Sequence, residues 1–309
     1  SRIRVIDKPN TGYGDTMNVG IAAASGSHVG IVEPDDFILP EMYATLYAIA
    51  TKNNLDLIKS DFYRFRTIEN GRERIYTQLS KNAVHLYNRI IDPGINLDVF
   101  RFAMNTWTGL YKASFLRENH ILHNTTPGAS FQDNGFFFQT LCLSRRAWFL
   151  DRAFYMNRRD NPDSSVNNHE KVYAMCDEHD FIYRFLCQDP ERLARFLPVF
   201  QRKRFENYEF TLARIAPTFR PDFLRRYQKD LTFSQEKGEL DLTMFSDYEK
   251  KLISMVLQDP GKYLKYRTSR HPQVLNRIQD VVTYNQLNGM EATIQKIIEK
   301  IHGSILPGK

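Results

Sequence analysis

His28-Val29-Gly30-Ile31-Val32 runs straight into Glu33-Pro34-Asp35-Asp36. The first five residues read as a buried strand: short, apolar and rich in β-branched side chains. The next four set three carboxylates within four residues, and like charges that close repel. A hard cation relieves the repulsion, because such ions take oxygen ligands. The competing reading is a solvated acidic turn that caps the helix after it.

The neighbouring sequence sets this junction in a repeating pattern. On the N-terminal side, Arg2–Ile6 alternates as a short strand, Asp7–Gly14 is turn-rich, and residues 15–25 read as a helix closed by Gly26. On the C-terminal side, a helix over 40–53 carries Met42, Leu46 and Ile49 at helical spacing, and 55–58 and 61–65 read as further strand. Strands alternating with helices predict an α/β fold with a mostly parallel sheet. In such folds ligands gather at the carboxyl ends of strands, which is where Glu33, Asp35 and Asp36 stand.

Beyond about residue 170 the pattern becomes helical throughout. Helices are predicted over 170–188, 201–216, 221–236, 245–258 and 272–301, separated at Pro190, Pro198, Pro217, Pro221, Gly261 and Pro272. A boundary near Asn167-Asn168 divides an α/β domain, 1–168, from a C-terminal α-helical region, 169–309. The aromatic residues of that region, such as Phe181, Tyr183 and Phe185, read as packing. A surface for a membrane or for a second copy of the chain is the minority alternative.

Composition narrows the function classes. The 309 residues are 42% hydrophobic and 25% charged, an ordinary globular profile that needs no staples. Cys142, Cys176 and Cys187 are scattered and form no zinc motif; reduced, packed thiols of a cytoplasmic protein are expected. No apolar run is long enough to span a bilayer, and the first residues lack the form of a signal peptide. The net charge is +6. Residues 1–169 hold 19 basic and 17 acidic side chains and residues 170–309 hold 23 and 19, so no dense basic tract argues for nucleic acid. A mild excess suits phosphate-bearing substrates or an anionic membrane surface.

Several motifs occur together. They are Asn10-Thr11-Gly12-Tyr13-Gly14, Asn18-Val19-Gly20-Ile21, Ala24-Ser25-Gly26, Glu33-Pro34-Asp35-Asp36, Pro40-Glu41-Met42-Tyr43 and Leu55-Asp56-Leu57-Ile58-Lys59-Ser60-Asp61. A second block holds Trp107-Thr108-Gly109-Leu110-Tyr111, the stretch Thr126–Gly135, and Asp160–Val166. Jointly these resemble the family 2 glycosyltransferases, in a branch associated with capsule, lipopolysaccharide and other surface glycans. The resemblance covers about 2–65 and 105–166; the helical tail carries little of it.

The resemblance implies a GT-A type fold, an inverting mechanism, a nucleotide-sugar donor (usually a UDP-sugar), and Mn2+ or Mg2+ as cofactor. The family's metal motif falls on Glu33, Asp35 and Asp36, with Asp35 the first choice as direct ligand and Glu33 standing where an Asp is usual. The family's Glu-Asp pair falls on Gln132-Asp133, so Asp133 is the expected catalytic base; its alternative is a helix cap. Without an adjacent anion from position 132, its pKa is expected to be less raised. Asn10, Gly12, Asn18 and Arg158 are expected near the donor, Arg158 as a phosphate contact or a solvated turn residue. Trp107 and Gln132 are expected near the acceptor, with core packing the alternative for Trp107. Met17 replaces a common Arg, and Asp160 a common His.

The family pattern also opens earlier than this sequence does, so about one βαβ unit, at least ~30 residues, is expected to be missing from its start. The implied partners are a nucleotide-sugar donor and a glycan or lipid-linked acceptor, without nucleic acid. Contact with the inner face of a membrane and self-association through the helical region stay open. Two rival functions remain at this level: a non-catalytic subunit that binds a sugar or a partner enzyme, and a metal-dependent nucleotide-sugar hydrolase.

Overall fold

A computed structural model describes residues 2–69, 71–161, 168–169 and 171–269. The expected helix 272–301 and the stretch Pro162–Val166 lie outside the described residues.

The chain runs from α1 (Tyr13–Ala23) through β1 (His28–Gly30), β2 (Phe37–Ile38) and α2 (Met42–Lys52) to β3 (Leu57–Ile68) and β4 (Gly71–Thr77). There follow β5 (Gly109–Lys112), α3 (Ala113–Glu118), α4 (Asp133–Leu143) and β6 (Ala147–Arg158). The helical region comprises α5 (Ala174–Cys187), α6 (Pro190–Arg214), α7 (Arg220–Glu236), α8 (Asp247–Gln258) and α9 (Pro260–Ser269). This is an α/β sheet flanked by helices and followed by a helical extension, the class expected.

The sheet itself differs from the mostly parallel one expected. Its order is β1-β5-β3-β6-β2, with β4 also on β3. Among the described residues only β3 and β6 run parallel; the other pairs are antiparallel. The physical reason lies in the connections. β3 and β4 are joined by a short hairpin, which forces antiparallel pairing, whereas the path from β3 to β6 is long and passes through helices, as parallel pairing requires.

Strand β3 spans both predicted strand segments. Its first six residues are all buried, as befits a central strand covered on both faces, and its far end is exposed where only the hairpin accompanies it.

Arg2–Ile6 is not a strand. The segment has no regular structure, and Ile3 and Val5 are 79% and 85% exposed. Alternation makes a strand only where a neighbour accepts its backbone hydrogen bonds, and no strand pairs with it among the described residues. Pro198 does not separate helices either. It lies inside α6, which starts earlier than expected at Pro190, capped by the Asp189 carboxylate accepting from Glu191 N at 2.9 Å. Gly261 likewise falls within α9.

Two hydrophobic clusters stabilise the chain. The larger surrounds the sheet and includes Phe136, Phe137 and Phe138 of α4, but also Ile182 of α5 and Phe196 and Phe200 of α6. The smaller joins Cys176 of α5 to Tyr208 and Leu212 of α6, Tyr227 of α7 and Ile253 of α8. Helices α5 and α6 therefore pack in both. Every residue from Asn134 to Leu141 is buried, so α4 runs through the interior, with Asp133 at one end and Cys142 and Leu143 at the other half-buried. Truncating Phe138 to Ala removes about 3–5 kcal/mol by the usual cost of such a cavity.

Candidate active site

The turn after β1 is built locally. Asp36 N donates to Glu33 O at 3.1 Å, closing a four-residue turn with Pro34 at its second position, where a fixed φ is favoured. The chain then enters β2, whose Phe37 and Ile38 pair with Met156 and Tyr155 of β6. That register brings the end of β6 beside the turn. Asp36 accepts from Arg158 N at 2.7 Å and from Asn157 Nδ2 at 3.1 Å. Glu33 Oε1 accepts from the Tyr13 hydroxyl at 2.7 Å, and Glu33 N donates to the Tyr155 hydroxyl at 2.9 Å. Asp35 is the most exposed of the three and accepts from Asn161 Nδ2 at 2.7 Å.

Burial dominates the chemistry of the two inner carboxyls. It raises Glu33 to about 7 against the lowering effect of Tyr13, with Asp133, Asp36 and Asp35 adding to the rise. It also raises Asp36, opposed by the Arg158 and Asn157 hydrogen bonds.

The second acidic corner precedes α4. Asp133 is the first residue of that helix and keeps partial access to a cleft while protein surrounds it. Burial raises its pKa to about 6; the Asn134 hydrogen bond and the Lys59 charge pull the other way. The missing neighbouring anion at Gln132 therefore does not keep Asp133 ordinary, because desolvation alone is sufficient. Lys59 is fully buried, donates to Ala103 O at 3.0 Å and to Asn105 O, and lies over the Phe137 ring at 4.6 Å. Burial lowers it to about 7, opposed by Asp133.

Both corners face one cleft of about 960 Å³, large enough for a nucleotide-sized ligand. Asn10, Gly12, Glu33, Asp35, Asp36, Trp107, Gln132, Asp133 and Arg158 all line it. Asn18 does not. It works from behind, its carboxamide donating to His123 O at 2.9 Å and accepting from His123 N at 2.8 Å.

Several lining residues hold the walls rather than present free groups. Gln132 is buried and braces its own loop, accepting from Ser130 N at 2.6 Å and donating to Thr126 and Gly128. Gly12 sits at φ 98°, with its missing side chain facing Thr126 O at 3.0 Å, so backbone meets backbone there. Arg158 is paired with Asp160 at 2.6 Å on the rim. Trp107 stacks on Tyr155 at 4.4 Å and meets Phe62 edge-on at 4.9 Å, with one side toward the cleft.

Sequence reasoning passed over Tyr13 and Tyr155, and it named Arg159 only together with Arg158 as an arginine that could meet a phosphate. Tyr13 and Tyr155 are the phenols that engage Glu33. Arg159 brings a half-buried guanidinium to the cleft wall, its Nε without a hydrogen-bond partner; burial lowers its pKa, opposed by the Asp36 charge.

Residues 1–149 match the family model described as Glycosyl transferase family 2. This segment is a family 2 glycosyltransferase domain. Curated relatives of the chain include the "Uncharacterized glycosyltransferase EpsJ" of Bacillus subtilis (strain 168), 28% identical over 166 residues, which are 53% of this chain and 46% of that protein. The "Uncharacterized glycosyltransferase YibD" of Escherichia coli (strain K12) is 24% identical over 155 residues, 50% of this chain and 44% of that one. The chain thus spans less than half the length of the curated relatives it matches. Among solved structures, S. aureus TarS 1-349 in complex with UDP-GlcNAc aligns at 16% identity, covering 75% of this chain and 74% of that one with a TM-score of 0.43.

Family 2 glycosyltransferases commonly work with a divalent metal, and the acidic corner is where one would sit. Among the described residues no three His, Cys, Asp or Glu side chains converge to hold an ion. Glu33 and Asp36 are turned into hydrogen bonds within the wall, which is why the three carboxylates do not form the cage expected from their spacing. Asp35 alone stands open. A hard cation held by one carboxylate fits this corner when phosphate oxygens and water complete its shell, as is usual for magnesium.

Proposed function

We propose that the chain is an inverting glycosyltransferase, moving a sugar from a nucleoside-diphosphate donor, a UDP-sugar in the first instance, to a hydroxyl of a glycan or lipid-linked saccharide in surface polysaccharide synthesis. The observation that carries this reading is the shared cleft. An open carboxylate, Asp35, and a buried one, Asp133, border the same space within a family 2 domain.

In the proposed reaction, Asp133 in its carboxylate form takes the proton of the acceptor hydroxyl. The freed oxygen attacks the anomeric carbon from the side opposite the diphosphate. The bond from that carbon to the diphosphate oxygen breaks, and the electron pair departs on the nucleoside diphosphate, so configuration inverts. Mn2+ or Mg2+ at Asp35, when bound, supplies positive charge to the leaving diphosphate. Arg159 adds a guanidinium of the same sense. Trp107 offers a flat apolar face against which a sugar ring packs. Buried Lys59 favours the ionised form of Asp133 without touching the cleft chemistry.

A second reading, a non-catalytic subunit that binds sugar or a partner enzyme, draws support from the occupied hydrogen bonds of Glu33 and Asp36. A donor screen by release of nucleoside diphosphate, run with manganese or with chelator and with or without acceptor saccharides, separates the readings. Acceptor-dependent, chelator-sensitive release supports transfer, and release indifferent to acceptor supports hydrolysis. Donor binding with no release from any donor leaves the binding subunit.

A further inference from the structure

The Asp133 corner is held from outside the family 2 domain. Phe131, two residues before Asp133, has φ 66°, a left-handed conformation that a bulky residue adopts only when its surroundings impose it. Its ring meets Phe210 edge-on at 6.2 Å, and the Arg214 guanidinium lies 5.3 Å from its centre. The next side chain after Asp133, Asn134, is gripped from the same direction. Asn207 Nδ2 donates to Asn134 Oδ1 at 3.2 Å. Asn207, Phe210 and Arg214 are three and four residues apart on α6, so they form one face of one helix.

The orientation of Asn134 follows from its neighbours. One side of its carboxamide meets two acceptors, Phe131 O at 2.9 Å and Asp133 Oδ1 at 2.9 Å. That side must be the NH2, since only donors satisfy two acceptors. Its oxygen therefore points to Asn207, which supplies a donor. The Asn207 amide is fixed in turn, because it also lies 3.1 Å from His179 Nε2 on α5. His179 is buried, and burial drives its pKa well below the ordinary value, so the ring is neutral; because the nitrogen of Asn207 that faces it is a donor, Nε2 accepts. A line of hydrogen bonds thus runs from His179 through Asn207 and Asn134 to the Asp133 carboxylate. Nearby, Glu178 Oε2 accepts from Gly135 N at 3.2 Å. Only glycine allows this approach, since a Cβ there would lie 2.7 Å from the Phe181 ring and 2.9 Å from that oxygen.

We infer that Asn207 is a positioning residue for Asp133: acting through the Asn134 carboxamide, it fixes where the Asp133 carboxylate points. This rests on the reading of Asp133 as the base. It makes the helical region part of the catalytic apparatus rather than an appendage, although the family match ends at residue 149. Lys59 of β3 acts on Asp133 directly, and Asp133 in turn acts on Tyr13 of α1, Glu33 of the acidic turn, Tyr111 of β5 and Glu178 of α5. Asn207 is uncharged, and its hydrogen bond toward this corner goes to Asn134.

The test is a double-mutant cycle with Asn207→Leu, Asn134→Leu and the pair, on the full chain, reading kcat and donor KM with melting temperature alongside. Asn207→Asp, which keeps the shape of the side chain, is the second variant. The expected result is a fall in kcat of about 10-fold or more for Asn207→Leu and Asn207→Asp with little change in donor KM, since a misplaced base costs rate rather than binding. In the Asn134→Leu background, Asn207→Leu should cost nothing further. Additive losses, or a change confined to melting temperature, overturn the inference.

The titration of Asp133, followed by carbon-13 NMR of its carboxyl, needs no turnover. Its midpoint should rise in Asn207→Leu, because the Asn134 donor is no longer held in place. A midpoint equal to wild type overturns the inference. A raised midpoint in a protein that transfers no sugar retains it while removing the function proposed above.

Discussion

The two acidic corners of the cleft reach it by opposite means. The corner at 33–36 is made by local chain geometry. Pro34 shapes a tight turn, and the adjoining strand register delivers Asn157 and Arg158 to Asp36. The corner at 131–134 is made at long range, by Asn207, Phe210 and Arg214 on a helix more than seventy residues away. The first exposes its key carboxylate and the second buries it. A carboxylate meant to meet a cation gains from being open to ligands, whereas one meant to take a proton gains from a raised pKa near the working pH. In the proposed reaction the same residue type thus takes two roles through two environments.

The sharpest way to break this contrast is at the buried corner. Asp133→Asn should lower kcat by about 10²–10⁴-fold, the usual worth of a general base, while donor affinity is retained. Nucleoside-diphosphate release beside a donor titration checks both halves, and full turnover removes Asp133 from the mechanism.

At the open corner, Asp35→Ala should weaken metal-dependent donor binding by about 10-fold or more, corresponding to about 1.4 kcal/mol. Chelator should erase the difference between variant and wild type. Superimposable titration curves with manganese would remove the metal role.

A pH profile sharpens the contrast further. In the proposed reaction Asp133 acts in its ionised form, and burial raises its pKa to about 6. Turnover should therefore fall as pH drops below about 6, tenfold per unit once the carboxyl is mostly protonated.

The smallest expected effect is at Glu33. Its folded pKa, about 7, lies above the ordinary 4.5. Stability is thus complete below the ordinary value and is lost as pH rises through 7, where burial opposes ionisation. Glu33→Gln keeps an acceptor for Tyr13 and removes that cost. It should raise stability by about 1–3 kcal/mol at pH 8 and change little at pH 5. Equal thermal melts at pH 8 would show that Glu33 is not strained by burial.

Much of the α/β half was legible because its signals are local. Helices α1 and α2 and the strand before Glu33 stand where periodicity and turn residues put them, within a few residues. The acidic turn was legible for the same reason, as strand, proline and acid occur in one continuous stretch, but Asp35 was singled out only through the family resemblance, and its exposure belongs to the structure. The strand at Arg2–Ile6 was misread because alternation describes one side of a pairing and is silent about the other. Pro198 was misread because a helix buried against two clusters tolerates a proline that an isolated one would not. The roles of Tyr13 and Tyr155 were hidden because they depend on which helix and which strand end up beside the acidic turn.

The sequence by itself determined the alternation of strand and helix, the helical second half and the two acidic positions, since these depend on propensity, turn chemistry and motif spacing within short windows. Only the tertiary structure decided that the sheet is mixed and that Glu33 and Asp36 face inward. It also decided that Asp133 is buried at a corner held by α6. Those outcomes depend on which distant groups end up in contact, and both desolvation and hydrogen bonding are set by that company rather than by neighbours in the chain.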